Sequence, residues 1–376
     1  MRSVLFKIPL DGTVDLGPLG KIPVFGIGLM LALWCLVAIA YVALTVRRQG
    51  WKNLSGISLL IWGAVAVAIF KAAELPIKAL PVYGYGTMLF LGFLASSSLA
   101  AWRLRREGGD GEMAWDAAMW IFIFGIIGGR LFYIVEYWST SFAVDPQTER
   151  PRTAWEIAVA IINLPDGGLV LYGGLILAPL AYYVYCRIRG INALAFADIA
   201  ITSVFVGILF GRIGCLLNGC CFGEVCSLPW AITFPAESIP FKALVARGLL
   251  DGGAGRSLPV HPAQLYDALS GLLLALVTWA YYPYARRTGE VVAVGWIAYP
   301  INRFMIEFLR ADEPGMGYPS LTIAQWVSLA LFATGVAYFV SLKYWSPGRQ
   351  PLVVASGKTR VPEPVIANAK RLKPAV

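Results

Sequence analysis

The sequence predicts an all-α polytopic membrane protein of about nine transmembrane helices, with its N-terminus outside and its C-terminus in the cytoplasm. Three observations predict this. Of 376 residues, 58% are apolar and only 14% are charged, with a mean hydropathy of +0.67, whereas a soluble domain carries about 25% charged residues. The apolar residues come in blocks of about twenty, the length a helix needs to cross ~30 Å of hydrocarbon. Basic residues gather in every second loop, as the positive-inside rule requires of cytoplasmic loops.

The expected spans follow in order. Span 24–46 is trailed by Arg47, Arg48 and Lys52; because the cations follow the apolar run instead of preceding it, it reads as a retained helix and not a cleaved signal peptide. Span 54–73 returns outward, and 82–103 crosses again to Arg103, Arg105 and Arg106. After 114–137 comes an outer stretch, 138–165, whose TAWEIAVAIINL suits a helix lying in the membrane interface. Span 168–188 ends on Arg187 and Arg189. Span 198–218 leads out into 219–258, the longest non-membrane stretch, where PWAITFPAES suits strands or a short amphipathic piece. Span 262–283 is followed by Arg286 and Arg287, 289–309 runs outward, and 321–342 runs back. The tail, 344–376, is rich in Pro, Lys and Arg and is expected to be disordered. The net charge of +9 is mostly this asymmetry, with some attraction to anionic lipid. It calls for no nucleic-acid partner.

One internal repeat stands out. Residues 22–50 align without gaps on 80–108 with 12 identities in 29, sharing Pro-Val-aromatic-Gly-x-Gly starts and Arg-Arg-x-Gly ends. Both copies run in the same direction. Many transporter folds are built instead on repeats of opposite orientation.

Charges at membrane depth are costly and mark function by default. Arg130 sits in GGRLFYIVEY, Arg212 in GRIGCLLNGC, and Arg303, Glu307 and Arg310 in YPINRFMIEFLRAD. Tyr299, Arg303, Glu307 and Arg310 fall at offsets that share one helical face. Converging arginines would form a cationic pocket, and guanidinium forks bind phosphate through paired hydrogen bonds. At that depth the phosphate is a phospholipid headgroup. The competing reading is that the arginines snorkel and anchor helix ends. His261 in HPAQLYDAL is the single histidine. It reads as a general base or phosphate contact, or as a structural residue at a helix start. Four of six cysteines, Cys215, Cys220, Cys221 and Cys226, fall in GCLLNGCCFGEVC. They read as an outer-face disulfide or as small residues at a tight turn. No zinc site is expected, because there is no Cys-x2-Cys pair and only one histidine.

Taken in order, GGRLFYIVEY, DGGLVLYGGLI, GRIGCLLNGCCFG, HPAQLYDAL and YPINRFMIEFLRAD resemble the prolipoprotein diacylglyceryl transferase family. The likeness implies a seven-helix core at 80–343, preceded at 1–79 by an extension of two added helices. It implies transfer of the diacylglyceryl group of phosphatidylglycerol to the lipobox cysteine thiol of preprolipoproteins, on the outer face of a bacterial inner membrane. Glycerol phosphate leaves, the protein partner is recognised by its signal peptide, and no metal or redox cofactor is needed. Carried over residue by residue, Arg212 and Arg303 take the phosphate. Tyr299, Glu307 and Arg310 match the same helix motif as Arg303, and Tyr85 matches an N-terminal Tyr-Gly motif whose counterpart in the first repeat copy is Ile27. Tyr172, His261, Arg303 and Glu307 are the expected catalytic residues, with Arg212, Arg130, Tyr85, Tyr299 and Arg310 binding the lipid. Family members often carry His, Asn and Glu where this chain has Tyr172, Cys215 and Cys220. Those departures leave the base unassigned and admit an alternative, a catalytically inactive lipid- or precursor-binding protein on the same scaffold.

Overall fold

A computed structural model describes residues 4–9, 13–15, 21–24, 28–49, 56–72, 79–145, 150–163, 168–311, 321–346 and 348–352. The chain divides into two compact units, 1–87 and 88–376.

In the first unit, strand β1 (Val4–Pro9) pairs antiparallel with β4 (Ala79–Tyr83), and β2 (Thr13–Asp15) with β3 (Lys21–Pro23). Helices α1 (Leu29–Gln49) and α2 (Gly56–Ala72) pack through Trp34, whose ring lies 4.3 Å from that of Trp62 and whose indole N–H donates to the Trp62 carbonyl at 3.1 Å. Each copy of the sequence repeat is a strand leading into a long helix, β3 into α1 and β4 into α3 (Gly84–Arg106).

The second unit continues with α4 (Glu112–Glu136), α5 (Ala154–Ile162), α6 (Leu171–Arg189), α7 (Ala193–Asn218), α8 (Ile239–Ala246), α9 (Ala263–Tyr281), α10 (Glu290–Glu307) and α11 (Ile323–Trp345). A helix occupies each of the nine expected segments, and among the described residues seven helices are long and apolar enough to cross a membrane: α1, α3, α4, α6, α7, α9 and α11. The other two fall short for different reasons. α2 has 17 residues, and α10 carries Glu290, Arg303 and Glu307 within 18. Most of the tail, 353–376, lies outside the described residues.

Burial is inverted relative to a soluble protein. Leu131, Val135, Leu180, Leu269, Leu273, Trp326 and many other large apolar side chains face outward, while Asp198, Thr202, Gln264, Asp267, Thr278, Glu307 and Gln325 are buried. Lipid solvates the former as well as a core would, so the bundle interior collects the polar groups that lipid cannot satisfy. This is a multi-pass membrane protein. Arg103, read from sequence as a loop cation, is buried in α3. It donates to the Ile199 carbonyl at 2.7 Å and stacks 4.7 Å from the Tyr282 ring, an arrangement that holds a guanidinium inside the bundle; Arg105 and Arg106 remain exposed.

With no hydrophobic force between lipid-bathed helices, small residues set the packing. α4 and α6 touch backbone to backbone. A Cβ placed on Gly173 would lie 2.0 Å from the Gly128 carbonyl oxygen, and one on Gly128 would lie 2.3 Å from that of Gly173. At the α7–α9 contact, a Cβ on Gly271 would sit 3.1 Å from the Leu209 nitrogen. Gly173→Ala should therefore force α4 and α6 apart, at about 1–3 kcal/mol for overpacking. A clear fall in the detergent melting temperature checks this; an unchanged melt would mean that the helices slide without cost.

The short helix α5 begins in a capping box, Thr153 receiving the Glu156 N–H while Glu156 accepts from the Thr153 N–H at 2.9 Å. Trp155, Val159 and Ile162 are all exposed on it, an apolar stripe suited to the headgroup boundary. The Thr153 N–H, then Arg150, hold the Glu156 carboxyl at about 2, below its ordinary 4.5. Because the folded value is depressed, the box stabilises α5 fully above about pH 4.5 and loses that contribution as pH falls towards 2. Hydrogen exchange in α5, corrected for intrinsic rates, should accelerate over that window, and Glu156→Gln should flatten the response.

Candidate active site

The ends of four helices meet at one place: the C-termini of α7 and α10 and the N-termini of α9 and α11. Gly219 closes α7 with a left-handed C-cap at φ +81°, its N–H donating to the Cys215 carbonyl at 2.8 Å. Glycine at this position ends a helix without a Cβ penalty. The chain then runs as a thread between two others. The Gly223 N–H donates to the His261 carbonyl at 3.1 Å and the His261 N–H to the Glu224 carbonyl at 2.9 Å. On the other side, the Glu224 N–H donates to Leu309 at 2.9 Å and the Ala311 N–H to Phe222 at 3.1 Å. Buried Phe222, Phe234, Leu244, Val260 and Ala311 form a small core beneath it. Gln264, fully buried, donates to the Cys220 carbonyl at 2.8 Å, and its Oε1 has no partner among the described residues.

Charge concentrates beside this thread. Arg212 on α7 pairs through Nε with Asp267 on α9 at 3.2 Å, and both are mostly buried. The Asp267 carboxylate also feels the charges of Arg303 and Arg310, and Arg212 interacts with Tyr299, Cys215 and Cys221. Arg303 is hydrogen-bonded to Glu307, whose other oxygen accepts from Thr322 at 2.9 Å. The Arg310 Nε stands 3.9 Å from Glu307. Among the described residues, three guanidiniums thus surround two carboxylates. Buried carboxylates of this kind orient guanidinium forks towards an anion.

The structure brings together Arg212, Tyr299, Arg303, Glu307 and Arg310. His261 is in the adjoining thread, but its Nδ1 faces the Tyr266 hydroxyl at 3.5 Å, and that hydroxyl accepts from the Trp230 indole at 2.7 Å. Arg130 is engaged elsewhere. Its guanidinium donates to the carbonyls of Ile161 at 3.0 Å, Gly168 at 2.9 Å, Asn163 at 2.9 Å and Ala160, gripping the C-terminal end of α5. Tyr172 is exposed in the first turn of α6, next to the Gly128–Gly173 crossing. Tyr85 lies in the first turn of α3, within the first unit.

Sequence reasoning missed Asp267, Gln264 and Gly223. Asp267 could have been found, since it is a carboxylate inside span 262–283 and the rule that flagged the arginines applies to it equally. Its pairing with Arg212 crosses between helices and leaves no helical spacing to read. The orphaned Gln264 acceptor and the crowding at Gly223 have no sequence signature. The Cys215, Cys220 and Cys221 sulfurs converge, all within 4.8 Å of one another; the spacing rule did not anticipate this.

Known proteins resemble this chain along most of its length. A phosphatidylglycerol–prolipoprotein diacylglyceryl transferase of Rhodopirellula baltica is 28% identical over 89% of this chain and 88% of that protein. Proteins of the same name from Clostridium tetani and Nitratidesulfovibrio vulgaris are 31% and 32% identical, over 69% and 67% of this chain and 93% and 86% of their own lengths. With the model of the prolipoprotein diacylglyceryl transferase family matching residues 72–341, a stretch that contains the whole arginine–carboxylate cluster, the chain belongs to that family.

Proposed function

We propose that this membrane protein transfers the diacylglyceryl group of phosphatidylglycerol to the lipobox cysteine thiol of preprolipoproteins and releases glycerol phosphate. The observation that carries the reading is the convergence of Arg212, Arg303 and Arg310 on Asp267 and Glu307 inside a lipid-solvated bundle. A thiol displacing a phosphate from a glyceryl carbon needs negative charge stabilised on the departing oxygens. Donors fixed in advance at that point lower the barrier most. The Asp267 carboxylate holds Arg212 by Nε, which suits its outer two nitrogens to the headgroup phosphate. Glu307 holds Arg303 by Nη1 and so fixes its guanidinium plane, and Tyr299 adds a hydroxyl beside Arg212. The Arg130 contacts fit a scaffold role: it would set the outer α5 corner instead of touching the phosphate. Tyr172 and Tyr85 remain candidates for contacts with lipid or precursor, and His261 for positioning the thread.

The protein would reside in the bacterial inner membrane, with its N-terminus outside, α2 and α10 crossing to make nine spans, and the basic tail in the cytoplasm. Residues 80–343 would form the transferase core and 1–79 an extension. The signal peptide of the precursor would deliver the acceptor thiol from the membrane plane. Supplying the chain to cells depleted of their own transferase tests the reading. Lipoprotein precursors should become diacylglyceryl-modified; precursors left unmodified although the protein is made and inserted would refute it.

A further inference from the structure

Cys215, Cys220 and Cys221 carry three free thiols whose sulfurs all lie within 4.8 Å of one another. Consecutive residues of an extended chain point to opposite sides, so Cys220 and Cys221 should diverge. They do not, because Cys221 adopts the left-handed conformation at φ 58°. Such a conformation is costly for a residue with a Cβ and marks a backbone held by its surroundings. Here the holders are the Gln264 clamp on the Cys220 carbonyl and the thread bonds of Phe222 and Gly223. Gly219 has already turned the chain back over the last turn of α7, where Cys215 waits. The Cys220 thiol also faces the Cys215 carbonyl oxygen at 3.8 Å.

We infer that Cys215, Cys220 and Cys221 form a three-thiolate zinc site that leaves a fourth position open for the acceptor thiol. In a tetrahedral site with Zn–S of about 2.3 Å, sulfurs stand ~3.8 Å apart, so the cluster closes with a shift of about an ångström or less. Thiolates select soft ions, and zinc among them brings no redox chemistry of its own. The ligand count separates the two kinds of zinc site. Structural sites use four protein ligands, whereas three ligands leave the ion an exchangeable position. Among the described residues, no further His, Cys, Asp or Glu joins the three at that distance.

The inference rests on the proposed transfer and supplies what that reading lacks, a means of deprotonating the acceptor. A thiol that coordinates zinc is deprotonated outright. The acceptor S–H would take the fourth position and give its proton to water. Its sulfur pair then forms the C–S bond to the glyceryl carbon while the C–O bond breaks, its electrons staying on the phosphate held by the arginines. The released phosphate monoester recovers a proton from water. The product thioether is neutral, binds zinc weakly and departs.

The full-length protein, purified in detergent, is the sample. Elemental analysis should find about one zinc per chain, X-ray absorption three sulfurs at about 2.3 Å, and Cys220→Ser or Cys221→Ser should lose the metal. With cobalt(II) substituted, an acceptor peptide bearing its thiol should intensify the sulfur-to-cobalt band, as three sulfurs become four, and a peptide with serine there should not. X-ray absorption on the unmutated protein keeps the test valid if a variant fails to fold. Copper in place of zinc, a disulfide among the three cysteines, or fewer than three metal-bound sulfurs overturns the site. Undiminished transfer from phosphatidylglycerol by metal-free protein also overturns it, while leaving the proposed function standing. Zinc bound normally with no transfer overturns the activating role and the proposed function together.

Discussion

Arg212→Ala is expected to lower kcat for transfer from phosphatidylglycerol about a thousandfold, the upper end of the loss that follows removal of one preorganised donor group. Arg212→Lys should recover only part of this, because an ammonium is a point charge and cannot present two parallel N–H groups to a phosphate. The substitution has a second consequence. Asp267, 7% exposed, loses its 3.2 Å partner, and stranding a buried charge costs about 3–5 kcal/mol. Arg303 and Arg310, which also act on Asp267, should absorb some of it. Adding Asp267→Asn removes the stranded charge, so the double variant should melt closer to the parent while staying inactive. Turnover and thermal unfolding measured on all four proteins separate the roles. Recovery of turnover along with stability would show that Arg212 only props up the bundle.

Gly223→Val is expected to remove most activity with the helices still in place. A Cβ at Gly223 would lie 2.6 Å from both the His261 Cβ and the Leu309 carbonyl oxygen. Neither can yield easily: one belongs to the chain entering α9, the other to the backbone leaving α10. The thread would have to move off both neighbours, losing the bonds from Gly223 to His261 and from Glu224 to Leu309. With it would go the placement of Cys220 and Cys221 relative to Arg212. Gly223→Ala should show the same defect less severely, since its single methyl needs the smaller displacement. The check is a graded fall in kcat from Gly through Ala to Val with near-parental helical circular dichroism. Full activity in the valine variant would show that the thread is loose and does not position the site.

What could be read in the sequence follows the range over which the physics is local. Hydrocarbon thickness sets span length, so α3, α4, α6, α7, α9 and α11 were legible as apolar runs. α10 was legible in the same way, as the apolar run 289–309, although three charges lower its hydropathy. The cost of charge in lipid pointed to Arg212 and Arg303 before any fold was known. The same cost pointed to Arg130, but the carbonyls at the end of α5 to which its guanidinium donates have no sequence signature. The pairing of Arg212 with Asp267, the crowding at Gly223 and the meeting of three sulfurs were decided only by tertiary structure. Each joins segments of different helices or depends on one residue's left-handed turn at Cys221. A helical period relates neighbours three and four apart; it carries no information on which distant helix end will pack beside which, and at this site that packing makes the chemistry.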